Sequence, residues 1–68
     1  MKQITAIIAD DEENLRKGLS LLLERLWPEL KILGQAQNGI QAVSLIELEK
    51  PDIAFLDIKM PGMTGINV

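Results

Sequence analysis

The side chains of this 68-residue chain that could do chemistry are carboxylates, because the sequence contains neither histidine nor cysteine. Three of them hold positions that matter. Asp10 and Asp11 follow the apolar run Ala6 to Ala9. Asp57 follows Ile53 to Leu56 and stands just before the Pro/Gly-rich stretch Met60-Pro61-Gly62-Met63-Thr64-Gly65. Oxygen donors without imidazole or thiolate suit a hard cation, Mg²⁺ ahead of Zn²⁺. Magnesium keeps several waters and takes one or two carboxylates plus a phosphate oxygen, so a cluster of this kind points to phosphate chemistry. Crowded carboxylates repel one another unless a cation relieves them. Each acid also has a plainer use. Asp favours turns, and Asp10-Asp11-Glu12-Glu13 would cap a helix and complement its dipole.

Whether the three acids meet depends on the elements that carry them. Met1 to Asp11 reads as a buried strand that ends in two adjacent carboxylates, with Ile4, Ile7 and Ile8 supplying β-branched bulk and Ala6 and Ala9 allowing close packing. Glu12 to Leu26 reads as an amphipathic helix on the stripe Leu15, Leu19, Leu22, Leu26, acidic at its start and closed by Pro28, with Trp27 packing at the corner. Gly18 lies inside that helix at a cost of about 1 kcal/mol relative to Ala, which suggests close packing there. A weaker strand within Glu29 to Ala36, with Ile32, Gly34 and Ala36 on one face, has the small mixed side chains of an edge. Asn38-Gly39 opens a second helix of roughly Ile40 to Glu49, which Lys50-Pro51 closes. Ile53 to Leu56 is a continuous apolar run, as in a strand buried on both faces.

Strand and helix therefore alternate, β-α-β-α-β, which indicates right-handed crossovers and a parallel sheet with helices on both faces. In such sheets ligands bind at the carboxyl ends of the strands where the strand order reverses. If the first and third strands are neighbours, Asp10, Asp11 and Asp57 converge at that place. Thr64 to Val68 looks like the cap and first turn of a third helix, so the expectation is the first part of a longer domain.

Composition narrows the function. Ten acidic against seven basic residues give a net charge of −3, which disfavours nucleic acid or an anionic membrane as a direct partner. The apolar run Ala6 to Ala9 is too short for a signal peptide or a membrane span, so a cytoplasmic setting is the default. A nucleotide-binding Rossmann half is disfavoured as well. No Gly-x-Gly-x-x-Gly follows the first strand, and Asp10-Asp11 would repel a pyrophosphate there.

Asp10-Asp11, Asn38-Gly39 with Ala42, and the run from Pro51-Asp52 through Phe55-Leu56-Asp57 to Met60-Pro61-Gly62-Met63-Thr64-Gly65 resemble the receiver domain of two-component response regulators. The similarity covers essentially all 68 residues, in order and at the right spacing. It implies a truncated flavodoxin-like, doubly wound parallel sheet with strand order 2-1-3 and residues 1–68 as the N-terminal part of a receiver. By the same resemblance Asp57 is the phosphoacceptor, taking a phosphoryl group from a phosphohistidine on a sensor histidine kinase. Asp10 and Asp11 match the acidic pair that holds Mg²⁺, Asp57 shares the metal, and the Lys59 backbone carbonyl matches its main-chain ligand. Pro61, Gly62 and Gly65 would shape the adjoining loop.

The family's later strands, one ending in Ser or Thr and one in Lys, have no counterpart before Val68. The chain by itself is therefore expected to be a poor phosphoacceptor that does not switch. It is also expected to self-associate through the uncovered side of the third strand, around Ile53, Phe55 and Leu56. Relatives of this kind mostly carry a DNA-binding output domain, and no such segment is expected within these residues. The competing expectation is an interaction or dimerisation module in which the carboxylates act only as caps. Mg²⁺ titration separates the two, through quenching of Trp27 or movement of the NMR signals of Asp10, Asp11 and Asp57.

Overall fold

A computed structural model describes residues 3–57 of the chain. Five elements follow in order: β1 (Thr5–Ala9), α1 (Glu13–Leu26), β2 (Lys31–Ala36), α2 (Gly39–Glu49) and β3 (Ile53–Leu56). The strands form one parallel sheet of order β2-β1-β3, the expected 2-1-3 arrangement. The start of a third helix expected at Thr64 to Val68 lies outside the described residues.

Residue size explains why β1 is the central strand. Ala6, Ile7, Ile8 and Ala9 are all at most 2% exposed, with two small and two β-branched side chains filling the space between neighbouring layers. β3 pairs with β1 in simple register, from Ala6 opposite Ile53 to Ala9 opposite Leu56. β2 pairs as Thr5 opposite Lys31 and Ala6 opposite Ile32, then slips by one residue so that Ile7 faces Gly34 and Ala9 faces Ala36.

That slip corrects one expectation. Paired residues of parallel strands point to the same face, and a one-residue slip reverses the face. Ile32 therefore shares the face of Ala6, while Gly34 and Ala36 share the face of Ile7 and Ala9. Ile32 lines a cavity with Ser20, Leu23 and Glu24 of α1, whereas Gly34 sits against Leu45 of α2. The two helices thus cover opposite faces of the sheet, as a doubly wound fold requires. A Cβ at Gly34 would stand 3.1 Å from Leu45 Cδ2, so the missing side chain lets α2 approach β2 closely.

On the α2 face, Ala9, Ala36 and Ala42 form the core, with Leu45 and Leu56 packed against it. Asn38 starts α2 by accepting the Gln41 N–H on Oδ1 at 2.8 Å, and Gln41 Oε1 in return accepts the Gln37 N–H at 3.0 Å. This reciprocal pair resembles a capping box shifted by one residue. Lys50 ends α2 in the left-handed region, at φ 48°.

α1 lies differently from the stripe expected of it. Leu15, Leu22 and Leu26 are 55%, 51% and 74% exposed. Arg16, Leu19, Ser20, Leu23 and Trp27 are the half-buried positions, at the i, i+3, i+4 spacing of a helix face. The sheet therefore meets a stripe one residue removed from the leucine-rich one. Gly18 has nothing within 4 Å of where a Cβ would stand, so close packing does not explain it.

Candidate functional site

The carboxyl edge of the sheet gathers the acids through register alone. Ala9 is opposite Leu56, so the next residues, Asp10 and Asp57, leave the sheet side by side. The Asp57 N–H donates to the Ala9 carbonyl at 3.1 Å, and the Asp10 N–H donates to the Ala36 carbonyl at 3.0 Å, extending both ladders by one rung. Asp11 follows at the corner between β1 and α1. One carboxylate oxygen from each of Asp10, Asp11 and Asp57 lies within 4.8 Å of the others. Asp10 and Asp57 are half-buried and Asp11 is exposed.

Asp10 Oδ1 accepts the Glu12 N–H at 2.9 Å, closing an Asx turn that leads into α1. Glu12 itself makes no side-chain cap, so Asp10 does the local work expected of a capping acid. The carboxylate keeps a second oxygen for another partner. Asp11 and Asp57 are brought to the same point without contributing to that turn. The donor set is all oxygen, carboxylate and without imidazole or thiolate, which is the chemistry that suits a hard cation such as Mg²⁺. Asp10, Arg16 and Asp57 also line an open cavity of about 360 Å³ together with Ile8, Leu15, Leu19 and Phe55. Arg16 of α1 donates from Nη1 to the Asp10 carbonyl at 2.6 Å.

Comparison with known proteins decides the family. The model of the response regulator receiver domain matches residues 6–68. The chain belongs to the response regulator receiver domain family. It is 53% identical over 64 residues to an uncharacterised response regulatory protein of Vibrio cholerae, covering 94% of this chain and 24% of that protein. It is 39% identical over 62 residues to the nitrate/nitrite response regulator protein NarL of Escherichia coli, covering 91% and 28% respectively. Among solved structures it resembles the signal receiver domain of the putative response regulator NarL from Mycobacterium tuberculosis. That likeness has a TM-score of 0.82 at 32% identity and covers 91% of this chain and 49% of the other. The chain thus spans 24% and 28% of the two curated relatives.

The expected receiver fold and family are both present. The receiver is a signalling module, although a protein-glutamate methylesterase/protein-glutamine glutaminase of Carboxydothermus hydrogenoformans is also 40% identical over 67 residues, which make up 19% of that enzyme. Lys59, with Pro61, Gly62 and Gly65, lies outside the described residues. Among the described residues no helix is long and apolar enough to cross a membrane.

Trp27 forms the C-cap of α1, at the far end of a helix of 14 residues from the acids. At 1.5 Å per residue that is about 21 Å, so its fluorescence is a poor reporter of the site. The position of Arg16 had a signal in the sequence. It stands three residues before Leu19 and seven before Leu23, on the same helical face, and the helix begins directly after the acids.

Proposed function

We propose that this receiver accepts a phosphoryl group on Asp57 from a phosphohistidine of a sensor histidine kinase, with Mg²⁺ held by Asp10, Asp11, Asp57 and the Lys59 main-chain carbonyl. The observation that carries the proposal is the convergence of three carboxylates within 4.8 Å at the carboxyl edge of the sheet. A bound Mg²⁺ would neutralise charge on the transferring phosphoryl group. An Asp57 carboxylate oxygen attacks phosphorus, the P–N bond to the kinase imidazole breaks, and the imidazole leaves with a proton while an acyl phosphate forms. Asp57 is held for this by its N–H on the Ala9 carbonyl and by β3, which is anchored against the central strand. The protein is an acceptor in this scheme and not a turnover catalyst.

On this reading residues 1–68 are the N-terminal part of a receiver in a cytoplasmic regulator with a DNA-binding output domain. The span of 49% of the matched receiver chain supports the first part of that reading, the assignment to part of a receiver. The chain self-associates through the β3 side, where Ile53, Phe55 and Leu56 are only half-buried, helped by exposed apolar side chains such as Leu26.

A second reading, an interaction module whose acids only cap, draws support from the Asx turn of Asp10. Thermal unfolding with and without Mg²⁺ separates the two. At ten times its Kd, a ligand that binds only the folded state adds about 1.4 kcal/mol, or roughly 5–10 °C in Tm for a domain of this size. We expect that rise in the wild type and its loss in Asp10→Asn and Asp57→Asn. A Tm indifferent to Mg²⁺ in all three proteins contradicts the metal site and favours the capping role.

A further inference from the structure

Asp10 is held at three points. Its N–H donates to the Ala36 carbonyl at 3.0 Å, its Oδ1 accepts the Glu12 N–H at 2.9 Å, and its carbonyl accepts Arg16 Nη1 at 2.6 Å. The first two partners are backbone groups of the sheet and the corner. The third is a guanidinium six residues away, inside α1 and part-buried. Arg16 is also the one basic side chain among the described residues that line the cavity shared by Asp10 and Asp57. A cation so placed has two opposing effects. Its charge disfavours a second cation among the same carboxylates. Its hydrogen bond fixes the main chain from which Asp10 projects, and a charged donor makes a stronger bond than a neutral one.

We infer that Arg16 is a positioning residue for the carboxylate site. By holding the Asp10 carbonyl it sets the corner between β1 and α1 so that Asp10, Asp11 and Asp57 meet around a divalent cation. The inference rests on the metal site proposed above and goes beyond it, because Arg16 offers the metal no ligand atom. The hydrogen bond outweighs the repulsion. Residues that orient ligands from outside the coordination sphere change metal affinity by about 10–100-fold when removed.

Calorimetric titration of the chain with MgCl₂ tests this in the wild type, Arg16→Met and Arg16→Lys. Methionine keeps a long unbranched stem but donates nothing, and lysine keeps both a charge and a donor. The Mg²⁺ Kd should rise about tenfold or more in Arg16→Met and return to within about threefold of wild type in Arg16→Lys. Without metal, the Glu12 amide should exchange with solvent faster in Arg16→Met, because the corner it closes has loosened. A role in charge alone gives the opposite sign, with tighter Mg²⁺ binding in Arg16→Met. A role in packing alone leaves the affinity unchanged. Either result overturns the inference. Circular dichroism establishes that each variant is folded, and Arg16→Gln takes the place of Arg16→Met, with the same expectations, if that variant unfolds. A wild type without Mg²⁺ affinity overturns the metal site and the inference together. Wild-type binding that Arg16→Met matches overturns the inference alone.

Discussion

At the amino edge of the sheet, opposite the carboxylate cluster, Thr5 and Asp52 form a reciprocal clamp that should carry a measurable part of the stability. Asp52 Oδ2 accepts the Thr5 N–H at 2.9 Å and the Thr5 hydroxyl at 3.1 Å, while the Asp52 N–H reaches Thr5 Oγ1 at 3.2 Å and the Thr5 carbonyl at 3.0 Å. The clamp ties the entry of β3 to the first residue of β1. A net hydrogen bond contributes about 0.5–1.5 kcal/mol, and bonds that water can reach fall at the low end. The side-chain bonds here are solvent-exposed, so Asp52→Ala, which removes two of them, should cost about 1–2 kcal/mol. Thr5→Val removes the two bonds of the hydroxyl and should cost about 1 kcal/mol. The hydroxyl and carboxylate share one bond, so the double-mutant cycle should show a coupling of about 0.5–1 kcal/mol, free of whatever else either side chain does. Urea denaturation of the four proteins measures these terms, and Tm should fall by roughly 5–15 °C in Asp52→Ala. Additive losses, or an Asp52→Ala variant within about 0.3 kcal/mol of wild type, would refute the clamp.

Three further substitutions test local features of the fold by the same measurement. Gly18→Ala fills open space inside α1 and should stabilise by about 0.5–1 kcal/mol, with a higher urea midpoint. Asn38→Ala removes the acceptor for the Gln41 N–H and should cost about 1 kcal/mol. Lys50→Gly relieves a side chain held at φ 48° and should stabilise by about 0.5–1 kcal/mol, less than the full left-handed penalty because glycine loses more chain entropy on folding.

The parts of this fold that were legible in the sequence depend on long, unambiguous signals. The apolar runs of β1 and β3, the Asn38-Gly39 start of α2 and the Lys50-Pro51 stop give the element order, and alternation of strand and helix gives a parallel sheet. Register then brings Asp10 beside Asp57. The faces of the elements were harder to read. Leucines occur at positions 15, 19, 21, 22, 23 and 26 of α1, around more than one face. Periodicity alone therefore could not tell the half-buried stripe of Arg16, Leu19, Ser20, Leu23 and Trp27 from its leucine-rich neighbour. Ile32 lies on the α1 side because of a one-residue slip between β1 and β2, which no alternation of side chains announces. The bond from Arg16 to the Asp10 carbonyl depends on the angle at which α1 leaves the corner, and that angle is a property of packing.

The central claim is that Asp10, Asp11 and Asp57 act together as a cation site in a phosphoryl-accepting receiver. Mg²⁺ titration of the ¹⁵N-labelled chain, followed by amide NMR, tests it residue by residue. The account predicts saturable shifts concentrated at Asp10, Asp11 and Asp57, little change at Trp27, and loss of the pattern in Asp57→Asn. Shifts spread evenly over the acidic surface, or a pattern that survives Asp57→Asn, would contradict it.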